Sequence, residues 1–411
     1  MRILNLYAYY SPEIAASSYI VENIQQACAR EGFEMVLYTP EPTRGISTKV
    51  RKEYKKKKHE IKYEGKLKIY RFAMFREGKN PIGRAFRYFC CNVAQLINGV
   101  FAKDINLICI DSTPPTQGAL AAILKKIKKV PVVYTLQDIF PDSLVNTGLA
   151  SQGSFLWKVG RIIENFTYRN MDKIIVISDD FKQNIISKGV PTERIEVIYN
   201  WVDEKAVVPI DRKNNELFDK LQLDRDKFYV VYAGNLGQAQ NIEIILKAAQ
   251  SLSGYSDIRF VIFGGGQHEN YYKEMVKDMQ LLNIYIFPLQ PYSLASNVYS
   301  LGDVSLVSCK KGLGKSAMPS KTWSIMSAET AVIANFDEGT DLQHIIEDNN
   351  VGIFTIAEDV EGLKNAILKM YNDKDLCRAM GENGRKFILN NLTREIGTQK
   401  YIEVIKSIVR I

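Results

Sequence analysis

The residues able to do chemistry gather at glycine-bearing turns. Tyr229-Val230-Val231-Tyr232-Ala233 has the composition of a buried strand. Gly234-Asn235-Leu236-Gly237 follows it, and a helical pattern opens at about Asn241, just after Gln240. A strand, a glycine turn and a helix start together make an anion pocket: glycine lets the backbone come close, free N–H groups point outward, and the helix dipole favours negative charge. The plain alternative is a βα turn whose glycines serve geometry alone. Phe260-Val261-Ile262-Phe263 leads in the same way into Gly264-Gly265-Gly266, without the spacing or the acidic partner of a dinucleotide fingerprint. A third run, from Lys310 through Gly312, Gly314, Lys315 and Ser316 to Pro319-Ser320-Lys321, lacks the register of a P-loop, which excludes an NTPase of that type. It can still hold a diphosphate, with Lys321 as a point charge.

In the first half, Tyr9-Tyr10-Ser11-Pro12-Glu13-Ile14-Ala15-Ala16-Ser17-Ser18 follows the first strand-like run. Its small residues permit close approach of a ligand to the helix that begins at Tyr19. Gln137-Asp138-Ile139-Phe140-Pro141-Asp142-Ser143 follows another strand. An aspartate at the C-terminal end of a buried strand is a candidate hydrogen-bond acceptor or general base; the competing role for Asp138 is a turn or helix cap. Asn200-Trp201-Val202-Asp203 fits turn chemistry.

Other machinery is excluded. The six cysteines show no Cys-x-x-Cys pair and the three histidines (His59, His268, His344) lie far apart, so neither a zinc site nor a Ser-His-Asp or Cys-His relay is expected. Two Asp-x-Asp triplets exist, at Asp224-Arg225-Asp226 and Asp373-Lys374-Asp375. The first precedes a strand and the second sits in a charged helical stretch, so neither suits a metal-diphosphate site, and no metal is expected.

The elements that must position these residues are legible as alternation. Short apolar runs at 3–7, 33–39, 107–110, 130–136, 173–178 and 195–199 are separated by helical patterns such as 19–30, and the rhythm restarts with runs at 228–233, 259–263, 284–287, 304–307 and 331–334. Such alternation implies doubly wound parallel sheets. At 411 residues the chain suits two domains: 1–205, completed by a last helix at 393–411, and 206–392. Residues 39–79 break the rhythm and predict an exposed basic loop or hairpin. The helix expected at 82–102 carries Phe86, Phe89, Val93, Leu96, Ile97, Val100 and Phe101, most of which are expected in a core. No apolar run is long enough to span a bilayer, and no signal-peptide pattern opens the chain, so a cytoplasmic location is expected. The net charge of +8 is one-sided: residues 1–205 hold 31 Lys/Arg against 21 Asp/Glu, and 206–411 hold 23 against 25. Such asymmetry points to a polyanion or an anionic membrane near the first half.

As a set, these motifs resemble the retaining two-domain glycosyltransferases of the GT-B fold, of the family 4 type. Within them the chain looks like the branch that transfers N-acetylated deoxyaminosugars in O-antigen and capsule assembly. The resemblance runs nearly end to end. It is carried by Ser11-Pro12-Glu13, Asp138-Ile139-Phe140-Pro141-Asp142-Ser143, Ile177-Ser178 with Gly189-Val190-Pro191, and Ile198-Tyr199-Asn200-Trp201-Val202-Asp203. Tyr232-Ala233-Gly234-Asn235-Leu236-Gly237 with Gln240, Gly264-Gly265-Gly266, Pro319-Ser320-Lys321 and Met380-Gly381-Glu382-Asn383-Gly384-Arg385 complete it.

The resemblance implies two Rossmann-like domains facing across a cleft, and a nucleotide-sugar donor, UDP-linked, held by the second. Donor contacts fall on Gly234, Asn235, Leu236, Gly237, Gln240, Gly265, Leu289, Gln290, Ser320 and Ser324. The acceptor approaches Glu13, Ser17 and Tyr19. Asp138 and Lys321 are the catalytic candidates, Asp138 orienting sugar or acceptor and Lys321 neutralising the diphosphate. The family's phosphate-loop Arg and Lys positions hold Asn235 and Gln240 here, and its paired glutamates fall on Ser316 and Ser324, so the usual ribose and phosphate contacts are not carried over. No cofactor is implied. The implied acceptor is a saccharide on a polyprenyl diphosphate, with the basic first domain peripheral on the inner face of the membrane and no nucleic-acid partner. Two other readings stay open: a nucleotide-sugar epimerase of the same fold, and an inactive glycosyltransferase-like subunit.

Overall fold

The computed structural model describes residues 1–13, 18–78, 80–146, 148 and 150–409. The chain divides into two compact units: residues 1–199 with 397–411, and residues 200–396. The break therefore falls at Tyr199–Asn200 and the return at Ile396–Gly397, a few residues from the expected positions.

Unit 1 is built on β1 (Arg2–Leu6), α1 (Ser18–Arg30), β2 (Glu34–Pro40), α2 (Thr48–Lys56), β3 (His59–Lys62), β4 (Leu67–Phe72), α3 (Pro81–Phe101), β5 (Leu107–Asp111), α4 (Gln117–Lys128), β6 (Val132–Leu136), α5 (Asp142–Asn146), α6 (Phe155–Asn170), β7 (Lys173–Val176), α7 (Asp179–Ser187) and β8 (Ile195–Val197). Its sheet runs β3-β4-β2-β1-β5-β6-β7-β8, parallel except for β3 against β4. Strands buried on both faces need near-continuous apolar runs, and β1, β5 and β6 supply them. The segment 39–79 corrects the expectation of a loop or hairpin alone. Ser47 accepts a hydrogen bond from Val50 N at 3.2 Å, and this N-cap turns the basic run into a helix, α2. The hairpin that follows adds β4 to the main sheet beside β2.

Helix α3 is inside out. Its inward line is Arg87, Cys91, Gln95 and Gly99, while Ile82, Phe86, Phe89, Val93, Ile97 and Phe101 face solvent. Most of the apolar side chains expected in a core thus lie outside it. The inward line is small or polar because neighbours come close: a Cβ on Gly99 would stand 2.8 Å from a Leu124 methyl.

Unit 2 follows with α8 (Leu217–Lys220), β9 (Phe228–Asn235), α9 (Ile242–Ser251), β10 (Ile258–Gly265), α10 (Glu269–Asp278), β11 (Ile284–Phe287), α11 (Ala295–Tyr299), β12 (Val304–Ser308), α12 (Lys321–Ser327), β13 (Ala331–Phe336), α13 (Asp341–Asp348), β14 (Gly352–Ile356), α14 (Val360–Asn372) and α15 (Lys374–Asn391). The all-parallel sheet runs β11-β10-β9-β12-β13-β14. Strand β14, unforeseen in the sequence, pairs with β13. The core on one face takes Ile242, Ile245 and Leu246 of α9 with Leu363 and Ile367 of α14. A final helix, α16 (Arg394–Val409), carries the chain back into unit 1. There Tyr401 and Ile402 are buried, and Lys406 pairs with Glu31 at 2.5 Å. In each sheet the strand order reverses at one strand, β1 or β9. Ligands of doubly wound sheets sit at the carboxyl ends beside such reversals.

Candidate active site

The C-terminal end of β9 carries the Gly234 turn. Gly234 has φ +149°, and a Cβ there would stand 2.7 Å from Lys321 Nζ. Glycine is favoured because L side chains rarely adopt this φ, and the end of Lys321 takes up the space a Cβ would need. Lys321 opens α12, and its ammonium sits 3.8 Å from the centroid of the Tyr232 ring. Among the described residues no carboxylate pairs with it. Burial pulls the ammonium down to about 7, and the ring face partly compensates the charge. The Tyr232 hydroxyl donates to Asn235 O at 2.9 Å, tying ring and turn together.

The turn is held from several sides. Leu236 N donates to Gly265 O at 3.0 Å and Lys310 N to Ala239 O at 2.9 Å. Ser308 Oγ donates to Gln240 O at 2.6 Å. Asn235 Nδ2 donates to Gln240 Oε1 at 3.3 Å, so the two neutral amides clasp each other over Gly237 and bring no charge to the loop. Leu236 is fully buried and can offer a ligand only backbone. Ser320 precedes Lys321 in the chain, and Ser324 lies within α12. Leu289 is exposed just beyond β11, and Gln290 folds back, Nε2 donating to Pro288 O at 2.8 Å.

The glycine loop before Lys321 is not an anion cradle. Gly312 N and Gly314 N both donate to the Asp337 carboxylate at 2.8 Å. An anion there would have to displace that carboxylate. A separate cavity of about 630 Å³ lies beside the start of α9, lined by Gln238, Asn241, Lys247, His268, Tyr271 and Lys310 among others. It borders the Gly237–Gln240 loop but takes in none of the expected donor residues.

In unit 1, Asp138 follows β6. Ser112 Oγ, at the end of β5, accepts from Gln137 N at 3.0 Å and Asp138 N at 3.3 Å. Desolvation raises the Asp138 carboxyl above the ordinary range, although the side chain keeps contact with solvent. Its neighbour Asp111 is pushed up to about 7 by burial, opposed by the Thr113 N–H and helped by the charge of Asp138. Sequence reasoning missed Asp111 and Ser112, which lie on a different strand from Asp138 and meet it only through the β5–β6 pairing.

Glu13 turns inward. It is 3% exposed, its Oε1 accepts from Thr43 N at 2.6 Å and Arg44 N at 2.8 Å, and its Oε2 accepts from Tyr10 N at 3.3 Å. Burial still raises its carboxyl above the usual range. The geometry gives it a loop-tying task. Tyr19 lies in the first turn of α1, partly exposed, and Ser17 lies outside the described residues.

The model of the family described as "Glycosyltransferase Family 4" matches residues 18–206, and that of "Glycosyl transferases group 1" matches 213–387. Each covers most of one unit. Each half of the chain thus matches a glycosyltransferase family model. The fold is GT-B: the sucrose-phosphate synthase of Thermosynechococcus elongatus superposes with a TM-score of 0.77 at 16% identity, covering 99% of this chain and 98% of that one. Anabaena HepE, solved with UDP, gives 0.73 at 14%, covering 99% and 100%. Among curated relatives, the probable glycosyltransferase WbjE of Pseudomonas aeruginosa is 24% identical over 67% of this chain and 68% of its own length. The putative colanic acid glycosyl transferase WcaI of Escherichia coli is 26% identical over 60% of this chain and 62% of its own.

One motif of the transferase proves to be architectural. In Met380–Arg385 the glycines admit close packing of α15: a Cβ on Gly381 would stand 2.2 Å from Glu329 O, and one on Gly384 3.3 Å from Met326 Cα. Arg385 Nη1 donates to Val207 O and Ser327 O, and Nη2 to Glu204 O. This stitching fixes the far end of the helix that Lys321 begins.

Proposed function

We propose that the enzyme is a retaining, metal-independent hexosyltransferase. It would move a sugar, an N-acetylated deoxyaminosugar in our reading, from a UDP-linked donor to a lipid-linked saccharide in cell-surface polysaccharide synthesis. The observation that carries the reading is the Lys321 ammonium, unpaired and facing the Gly234 turn. A diphosphate seated on that turn would complete the missing ion pair. As the bond from the anomeric carbon to the diphosphate oxygen breaks, negative charge grows on the leaving group, where Lys321 and the turn N–H groups stabilise it. The acceptor oxygen bonds the same carbon on the leaving-group face. Its proton passes to the departing phosphate oxygen, so no enzyme nucleophile is required. Asp138, held by Ser112, would orient the sugar or acceptor.

The relatives' names favour these choices. WcaI is named for colanic acid. The GPI3 subunit of Saccharomyces cerevisiae, 22% identical over 52% of this chain and 50% of its own, is named as a phosphatidylinositol N-acetylglucosaminyltransferase, which joins an acetylated aminosugar to a lipid acceptor. HepE is described with UDP and with UDP-glucose.

The lipid side has its own support. Helix α3 packs on α4, and α4 on α6. Besides the α3 stripe, Ile123, Ile127, Phe155, Leu156 and Ile162 are exposed on this layer. The one acidic residue of the three helices, Glu164, is buried against Arg161 and Lys188. An apolar surface with lysines and no exposed acid fits an anionic bilayer. No described helix is long and apolar enough to cross one.

A thermal-shift screen of nucleotide sugars, then transfer to a lipid-linked saccharide with NMR of the product, tests the reading. An inverted anomeric centre overturns the retaining mechanism. Donor conversion without acceptor favours the epimerase, and a chain with neither hydrolysis nor transfer is the inactive subunit. Flotation with anionic vesicles at low and high salt tests the membrane face, and no binding at either removes it.

A further inference from the structure

Unit 1 buries a cation that makes no ion pair among the described residues. Arg87 is 0% exposed, and its Nε, Nη1 and Nη2 have no hydrogen-bond partner among the described residues. Arg71, 5% exposed, donates from Nη2 to Ser11 O at 2.7 Å and lies 3.7 Å from Glu60, while its Nε and Nη1 are unpartnered. The charge of Glu13 acts on both arginines. Its oxygens, however, already accept the N–H groups of Tyr10, Thr43 and Arg44, and it makes no ion pair with either guanidinium among the described residues. What Arg87 does face is the Tyr9 ring, 5.4 Å from its centroid. The exposed Arg44 lies 5.2 Å from the same ring. The Tyr9 hydroxyl is engaged by Glu77 at 2.9 Å and Tyr88 at 3.0 Å. A guanidinium cannot shed its proton, and buried donors left unmade are costly. A structure that keeps five such nitrogens around one loop is built for an anion that brings acceptor oxygens.

We propose that Arg87, with Arg71 and Arg44 around the Tyr9–Glu13 loop, binds a phosphate or diphosphate group. A planar fork of donors suits phosphate oxygens. The group can belong to a lipid or be free. A lipid source rests on the acceptor reading above.

The test uses the full chain and its Arg87→Met and Lys321→Ala variants in thermal-shift titrations with sodium pyrophosphate, farnesyl diphosphate and farnesol. Pyrophosphate and farnesyl diphosphate are expected to raise Tm in Lys321→Ala, where the donor turn has lost its charge. Adding Arg87→Met to Lys321→Ala should cost at least tenfold in affinity for both, while the ligand-free Tm of Arg87→Met alone equals or exceeds wild type, because methionine removes a buried charge that has no ion pair. Farnesyl diphosphate binding tenfold tighter than pyrophosphate assigns the lipid source; equal affinities assign a free phosphate. Three results overturn the site: no anion shift in Lys321→Ala, an unchanged shift when Arg87→Met is added to Lys321→Ala, or an Arg87→Met protein that is less stable without ligand, which would mean the arginine is already satisfied. Sugar transfer by the same wild-type preparation reports separately, so the site can fail while the transferase reading stands.

Discussion

Each unit holds a cation, half-buried at Lys321 and fully buried at Arg87, with no carboxylate pairing it among the described residues, and the two meet the cost differently. Lys321 leans on the Tyr232 ring, and burial has brought its ammonium down to about 7. When the turn is empty it can shed its proton, and when a diphosphate arrives it can take one back. Arg87 has a similar aromatic neighbour but no such release, because guanidinium stays charged. The lysine is a cation on demand, suited to charge that comes and goes in a reaction. The arginine is a fixed charge, suited to a group that binds and does not react.

The largest effect should come from removing the lysine. Lys321→Ala is expected to lower kcat by about two to three orders of magnitude, as loss of one charge-stabilising group does in other enzymes. Circular dichroism should stay unchanged, since α12 is held from its other end by Arg385. Near-normal turnover would take Lys321 out of the mechanism and end the comparison on that side.

The pH dependence separates the two cations next. Because the folded Lys321 is depressed to about 7 from an unfolded value near 10.4, the unfolded chain carries the extra proton between those limits. The stability contribution of this group therefore rises with pH across that window and is flat below it. Donor binding runs the other way: it needs the ammonium, so affinity should fall by up to about tenfold per pH unit above 7. Titrating UDP-sugar binding from pH 6 to 9 checks this, and the slope should vanish in Lys321→Ala. A flat profile in wild type would mean the lysine stays charged when empty and behaves as the arginine does.

How far the sequence carried these points depends on what each residue needs as a neighbour. Gly234 and Lys321 were legible because each sits in a local pattern, a strand-end glycine and a Pro-Ser-Lys helix start. The parallel sheets were legible from their apolar runs, and β14 was missed because Gly352–Ile356 is short and half-exposed. Asp337 drawing in the N–H groups of Gly312 and Gly314 was not legible, since it lies on the next strand's end. Arg87 was hidden for a deeper reason. Beside Arg84, at the start of a helix rich in phenylalanine, it has the look of a solvated residue and the phenylalanines of a core. The fold reverses both, and only tertiary packing can say so. The Ser47 cap was missed because seven basic residues at 49–58 suggested a solvated loop, although a helix disperses that charge equally well.

The smallest and sharpest effect should come from exchanging one chemistry for the other. Arg87→Lys keeps a positive charge but makes it releasable. Burial should depress this lysine, so the ligand-free variant gains stability above its own titration point, a rise of a few degrees in Tm at pH 9 relative to wild type. The same change should make pyrophosphate binding pH-dependent: close to wild type at pH 6, and weaker than wild type at pH 9, where the lysine arrives neutral. If Arg87→Lys tracks wild type at both pH values, the site is wet enough to keep a lysine charged. The arginine would then be no more buried, in energetic terms, than a surface cation, and the contrast with Lys321 would rest on position alone.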